Sequence, residues 1–178
     1  MQGMDSDGRI LYLGTFSRSM FPDIRIGYLV TPDGLRSDFL ELWESSGLNP
    51  SVSLQATLAD FILEGHYVRH LRRMRQLYAK RSHWLAERIE SELGDWFELE
   101  ATDGGLHFNG YFRQPIDAEN LAAAAERRGV SLFPISRYAL EALPRDGVLF
   151  GFARYGEAEM ETALAALKEV LDGFRAKG

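Results

Sequence analysis

The chain has no cysteine among its 178 residues, which excludes disulfides and thiolate chemistry and agrees with a cytoplasmic location. It has no excess of basic charge. Twenty Lys and Arg stand against 26 Asp and Glu, a net charge of −6, which argues against a nucleic-acid surface over the whole chain and leaves only local basic patches open. No apolar run approaches the ~18 residues a membrane span requires, so no membrane partner is expected. The start, Met1-Gln2-Gly3-Met4-Asp5, lacks the apolar centre of a signal peptide. Internal repeats and low-complexity segments are absent, and only six prolines interrupt the chain. What remains is ordinary globular composition, 46% hydrophobic and 26% charged, with enough length to bury a substantial core.

The pattern predicts a strand over 9–14, a loop over 15–24 and a strand over 25–30, stopped by Thr31-Pro32-Asp33-Gly34. The first strand, Arg9 to Gly14, reads as buried and parallel, needing neighbours on both sides from downstream or from outside this sequence. Leu35, Phe39, Leu42 and Trp43 recur at helical spacing. Leu54, Leu58, Phe61 and Ile62 do so again after a cap at Ser51 or Ser53. A long helix follows from about Tyr67 to Leu93, with Val68, Leu71, Met74, Tyr78, Leu85, Ile89 and Leu93 as its stripe. Three strands are expected over 106–112, 130–134 and 147–153, with a helix from Ala118 to Arg128 and a closing helix from Glu157 to Phe174. Together they make a small α/β unit, with the boundary inside the long helix near residue 80.

The segment Gly14-Thr15-Phe16-Ser17-Arg18-Ser19-Met20-Phe21-Pro22-Asp23-Ile24-Arg25-Ile26-Gly27-Tyr28 carries the chemistry. It resembles the cofactor-lysine segment of fold-type I pyridoxal-phosphate enzymes. In particular, it resembles the aminotransferase-like domain of MocR-type GntR-family regulators and the related aminoadipate-type aminotransferases. In those proteins a lysine amine condenses with the cofactor aldehyde and then moves protons on the substrate carbon. The resemblance implies that Thr15, Ser17 and Arg25 line the phosphate, a doubly charged group suited to bidentate guanidinium contacts. It also implies that Ser51, in Asn49-Pro50-Ser51, reaches toward a partner subunit's phosphate, beside the plainer reading of a helix cap.

Arg18 stands where the lysine belongs. A guanidinium stays protonated at working pH and is no nucleophile, so it takes neither of the lysine's roles, although it can pair electrostatically with a cofactor held without a covalent bond. Natural degeneration, a deliberate substitution and an effector site without covalent attachment all remain open, and all three predict no normal transamination. The family's substrate arginine falls on Leu149. Arg154, just beyond, is the candidate replacement, and Arg137, in Ile135-Ser136-Arg137-Tyr138, is a second substrate candidate on a loop expected at the site's mouth. Each has a plainer alternative, a surface salt bridge for Arg154 and a capped turn for Arg137. His66 and His70 have the spacing of a zinc pair with no third ligand nearby, so no metal is expected. Arg69, Arg72, Arg73, Arg75, Lys80 and Arg81 read as a solvated helix face in preference to a DNA contact.

The resemblance thus implies an α/β fold-type I architecture. Residues 1–80 form the end of the cofactor-binding large domain with a linking helix, and residues 81–178 form the C-terminal small α/β domain. It implies a fragment of a regulator that senses a small-molecule effector or amino acid through pyridoxal 5'-phosphate. Such a regulator forms a homodimer and contacts DNA only through a domain this chain lacks. The alternatives are a piece of a free-standing class I/II aminotransferase and a non-catalytic dimerisation module.

Overall fold

In a computed structural model of the chain, residues 2–47, 50–100 and 104–175 are described. Contacts divide them into two compact units, Met1–Arg72 and Arg73–Gly178, and the division falls inside one long helix. The boundary expected near residue 80 lies in the same helix.

The first unit contains β1 (Tyr12–Thr15), β2 (Gly27–Val30), α1 (Arg36–Ser46), α2 (Val52–Leu63) and the start of α3 (His66–Leu93). β1 and β2 form a two-stranded antiparallel ribbon, with Tyr12 opposite Val30 and Thr15 opposite Gly27. Gly14 leaves room for the Tyr28 ring, which would lie 2.2 Å from a Cβ there. The expectation of a buried parallel strand is overturned. β1 has one antiparallel neighbour, and Leu13 is 74% exposed. A strand buries both faces only when layers cover both, and none of the other described strands joins this ribbon.

The helical spacing in α1 is real, yet no residue of α1 is buried. In α2 only Leu58 of the expected face is buried. The unit's core is Ile24, Ile26 and Leu58, with Phe16 and Met20 packed against them.

The second unit contains the end of α3, β3 (Phe97–Leu99), β4 (His107–Phe112), α4 (Ala118–Glu126), β5 (Phe133–Pro134), β6 (Gly147–Gly151) and α5 (Glu157–Arg175). The sheet order is β3-β4-β6-β5, and every neighbouring pair is antiparallel. β4 and β5 therefore run the same way with β6 between them, a split β-α-β crossover through α4. Alternate residues Phe108, Phe112, Val148 and Phe150 turn to one face of the sheet. There they meet Leu85, Ile89 and Leu93 of α3, Leu121 and Ala125 of α4, and Met160, Leu164, Leu167 and Leu171 of α5 in one continuous core.

β3 is absent from the sequence reading because three residues show no period. The strand expected over 130–134 shrinks to two residues. Proline at its end suits only an edge, where β5 lies. The stripe of α3 is buried only at its last three members, while Val68 is 59% exposed. The architecture is a mixed α/β fold.

Candidate functional site

The loop between β1 and β2 is built by two anchors and a turn. Beyond the Thr15–Gly27 pair, the Phe16 backbone N–H donates to the Ile26 carbonyl at 2.9 Å, so the ribbon extends one step. Ile24 and Ile26 are both buried, at 4% and 8% exposure. Arg25 between them bridges two anchored side chains in the left-handed conformation, φ 44° and ψ 35°, and its own side chain is exposed. Among the described residues it is the one non-glycine with positive φ. Such a backbone costs about 1–3 kcal/mol and persists where surrounding packing imposes it.

The hydroxyls sit across the ribbon end from Arg25. Thr15 Oγ1 donates to the Ile26 carbonyl at 3.4 Å and accepts from the Ser17 backbone N–H at 3.2 Å. This hook holds Ser17 beside Thr15 and ties both to Ile26, the residue between Arg25 and β2. Arg18, next in the loop, is exposed, and neither it nor Arg25 makes an ion pair or hydrogen bond among the described residues. Two hydroxyls and two unpaired guanidinium groups fit a phosphate. They do not fit an aldehyde, since the loop offers no primary amine. The residues present therefore match the phosphate end of the implied cofactor and not its covalent attachment.

Sequence reasoning missed the support behind the loop. The Ser19 and Tyr67 hydroxyls are hydrogen-bonded at 2.9 Å, and His70 Nε2 donates to the Ser19 carbonyl at 2.8 Å, which fixes its tautomer. The Phe16 ring lies 5.4 Å from that of Tyr28 and 5.5 Å from that of Tyr67. A hydrogen bond with Tyr12, aided by partial burial, pushes the Tyr28 phenol above its usual pKa. The only sequence signal for this network was Tyr28 in the motif itself, because Tyr67 and His70 reach Ser19 from about fifty positions away.

The remaining candidates lie elsewhere. Ser51 caps α2, accepting from the Leu54 backbone N–H at 3.4 Å and sharing a 2.9 Å hydrogen bond with Ser53. Its neighbour Asn49 lies outside the described residues. Arg137 is held in a two-pronged pair by Glu119, at 2.7 and 2.5 Å. Arg154 lies 5.5 Å over the Tyr155 ring, and half-buried Leu149 faces Asn109 and Phe133 across the sheet. His66 pairs with Glu64 at 3.0 Å and accepts from Arg69 at 2.7 Å. Of the basic helix face, Arg81 donates to the Ala153 carbonyl at 2.6 Å and Lys80 pairs with Glu157 at 2.8 Å. Among the described residues no helix is long and apolar enough to cross a membrane.

No family model matches the chain. It is 36% identical over 178 residues, all of this chain and 36% of the relative, to the probable rhizopine catabolism regulatory protein MocR of Rhizobium meliloti. It is 35% identical over 168 residues to an uncharacterized HTH-type transcriptional regulator, YhdI, of Bacillus subtilis, covering 94% of this chain and again 36% of the relative. The chain thus spans about a third of the length of these curated relatives. Among solved structures it superposes on the Pyrococcus horikoshii kynurenine aminotransferase with a TM-score of 0.84 at 22% identity. That match covers 97% of this chain and 43% of the other, and establishes the fold.

Proposed function

The chain is homologous to the aminotransferase-like, C-terminal portion of MocR/GntR-type HTH transcriptional regulators, and from that premise we propose that it is a ligand-sensing element that holds pyridoxal phosphate without a covalent bond. Residues 1–80 correspond to the end of the cofactor-binding large domain with its linking helix, and residues 81–178 to the small domain. The sensed molecule is a small effector or amino acid, the working form is a homodimer, and DNA recognition belongs to a region of the regulator outside these 178 residues.

The observation that carries the reading is the hook of Thr15 and Ser17 opposite the left-handed, unpaired Arg25, with Arg18 in the lysine's place. When bound, pyridoxal phosphate supplies an aldehyde that condenses with amines. Ser17 would donate a hydroxyl hydrogen bond to the phosphate, Thr15, whose own O–H goes to the Ile26 carbonyl, would hold Ser17 in place, and Arg25 would supply a two-pronged charged contact. Arg18 adds a second fixed positive charge. It cannot accept or deliver a proton on a substrate, so transamination is excluded at this position.

The test is reversible binding. Pyridoxal phosphate is titrated into the chain by calorimetry, and parallel samples are treated with borohydride and weighed by intact-mass spectrometry. Saturable binding with no mass gain is expected, weakened about tenfold or more in Arg25→Ala through loss of one charge-assisted contact. A mass gain on Lys80 or Lys168, or binding indifferent to Arg25→Ala, would overturn the reading. No binding at all would leave the chain as an interaction module.

A further inference from the structure

The second unit contains a gap that the regulator reading does not use. Helix α4 ends in a Schellman-type turn, where the Val130 N–H donates to the Ala125 carbonyl and the Gly129 N–H to the Glu126 carbonyl. Gly129 adopts φ +76°, which only glycine tolerates easily. The turn delivers residues 130–132 to the sheet at an angle, so β5 pairs with β6 only at Phe133–Leu149 and Pro134–Val148. Continuing that register would set Leu132 opposite Phe150 and Ser131 opposite Gly151, and neither pair forms. β6 itself runs on, paired with β4 as far as His107–Gly151.

Behind the unzipped edge lies a cavity of about 320 Å³, within the size range of small-molecule sites. Its floor is apolar, formed by Leu132, Phe150, Met160 and Leu164 at 4–7% exposure. Its rim is polar, formed by Ser131, Tyr155 and Glu159. Among the described residues, Glu159 is the only charged one lining it. One of its carboxylate oxygens accepts the Gly156 N–H at 2.9 Å, and the other has no partner among the described residues. Arg154 covers the Tyr155 ring from outside the lining.

We propose that this cavity binds a small aromatic amine, its ring on the apolar floor and its ammonium on the free oxygen of Glu159. An aromatic ring matches Phe150 of the floor and Tyr155 of the rim, and a cation matches the lone formal charge. None of Thr15, Ser17 and Arg25 lines the cavity.

The probe is 2-phenylethylamine, with 3-phenylpropionate as its anionic counterpart, added to the ¹⁵N-labelled full chain. Saturable amide shifts are expected at Ser131, Leu132 and Gly151. The carboxylate should bind about tenfold more weakly, the size of one charge-assisted contact. Glu159→Gln, an exposed change that keeps the capping hydrogen bond, is expected to weaken the amine by a similar factor. Ala163→Phe, which fills the cavity, should abolish the shifts. Equal affinity for both probes, no saturable shift, or full-strength binding in Glu159→Gln would overturn the proposal, even where Ala163→Phe fails to fold.

Discussion

The two units spend similar apolar sequence in opposite ways. In the second, three helix stripes and one sheet face converge, and Ile89, Leu93, Leu121 and Leu171 reach 0% exposure. In the first, Leu40, Leu42 and Trp43 of α1 remain 53%, 65% and 48% exposed, and both strands of the ribbon face solvent. Amphipathic spacing shapes a helix, but it buries nothing unless a complementary surface is present. A two-stranded ribbon is marginal in water by itself. The candidate cofactor residues thus sit on the more thinly packed of the two units described.

The largest expected separation between the units comes from emptying each core. Leu167→Ala, at a site 1% exposed, should lower stability by about 2–5 kcal/mol in urea titrations followed by circular dichroism. Ile24→Ala should cost less, because its cluster has only three buried members and can relax into solvent. Equal losses would break the contrast.

A smaller effect should follow from the helix caps. Asp117 accepts the Asn120 N–H at 2.9 Å, and Asp117→Ala should cost about 1 kcal/mol. Ser51→Ala, which removes a longer 3.4 Å bond in the first unit, should cost about 0.5 kcal/mol. The same denaturation experiment reads both.

The smallest effect is the acid response. Hydrogen bonds from Arg145 and Arg137 hold the Glu98 and Glu119 carboxyls below their usual pKa. Such groups bind protons more readily when unfolded, so their contribution is complete above the ordinary carboxylate pKa and is lost as pH falls through the lowered folded values. Both pairs are exposed and screened. Replacing both acids, Glu98→Gln and Glu119→Gln, should therefore flatten the fall in Tm with acid only slightly. Asp5, lowered chiefly by the Ile10 and Arg9 backbone N–H groups, is the matching acid of the first unit, and Asp5→Asn tests whether its ribbon responds in the same pH window.

The candidate site could be proposed from the sequence because its signal is local. Thr15, Ser17, Arg18 and Arg25 fall within eleven residues, and with Gly27 and Tyr28 they carry the resemblance to a cofactor segment. The Ser19–Tyr67–His70 network was illegible, since nothing in the sequence relates a serine to a tyrosine and histidine about fifty positions on. Arg137 reads in the sequence as a substrate candidate or part of a capped turn, and in the structure Glu119, from the first turn of α4, takes both its prongs.

The sequence by itself determined the helices, through a 3.6-residue period that needs only neighbours along the chain, and it carries the resemblance that sets Arg18 where a lysine is expected. The tertiary structure alone decided which stripes are buried, that the sheets pair antiparallel, and that β5 peels away from β6 to open a cavity. Those outcomes depend on surfaces and hydrogen-bond partners brought together from distant segments, and no local pattern records them.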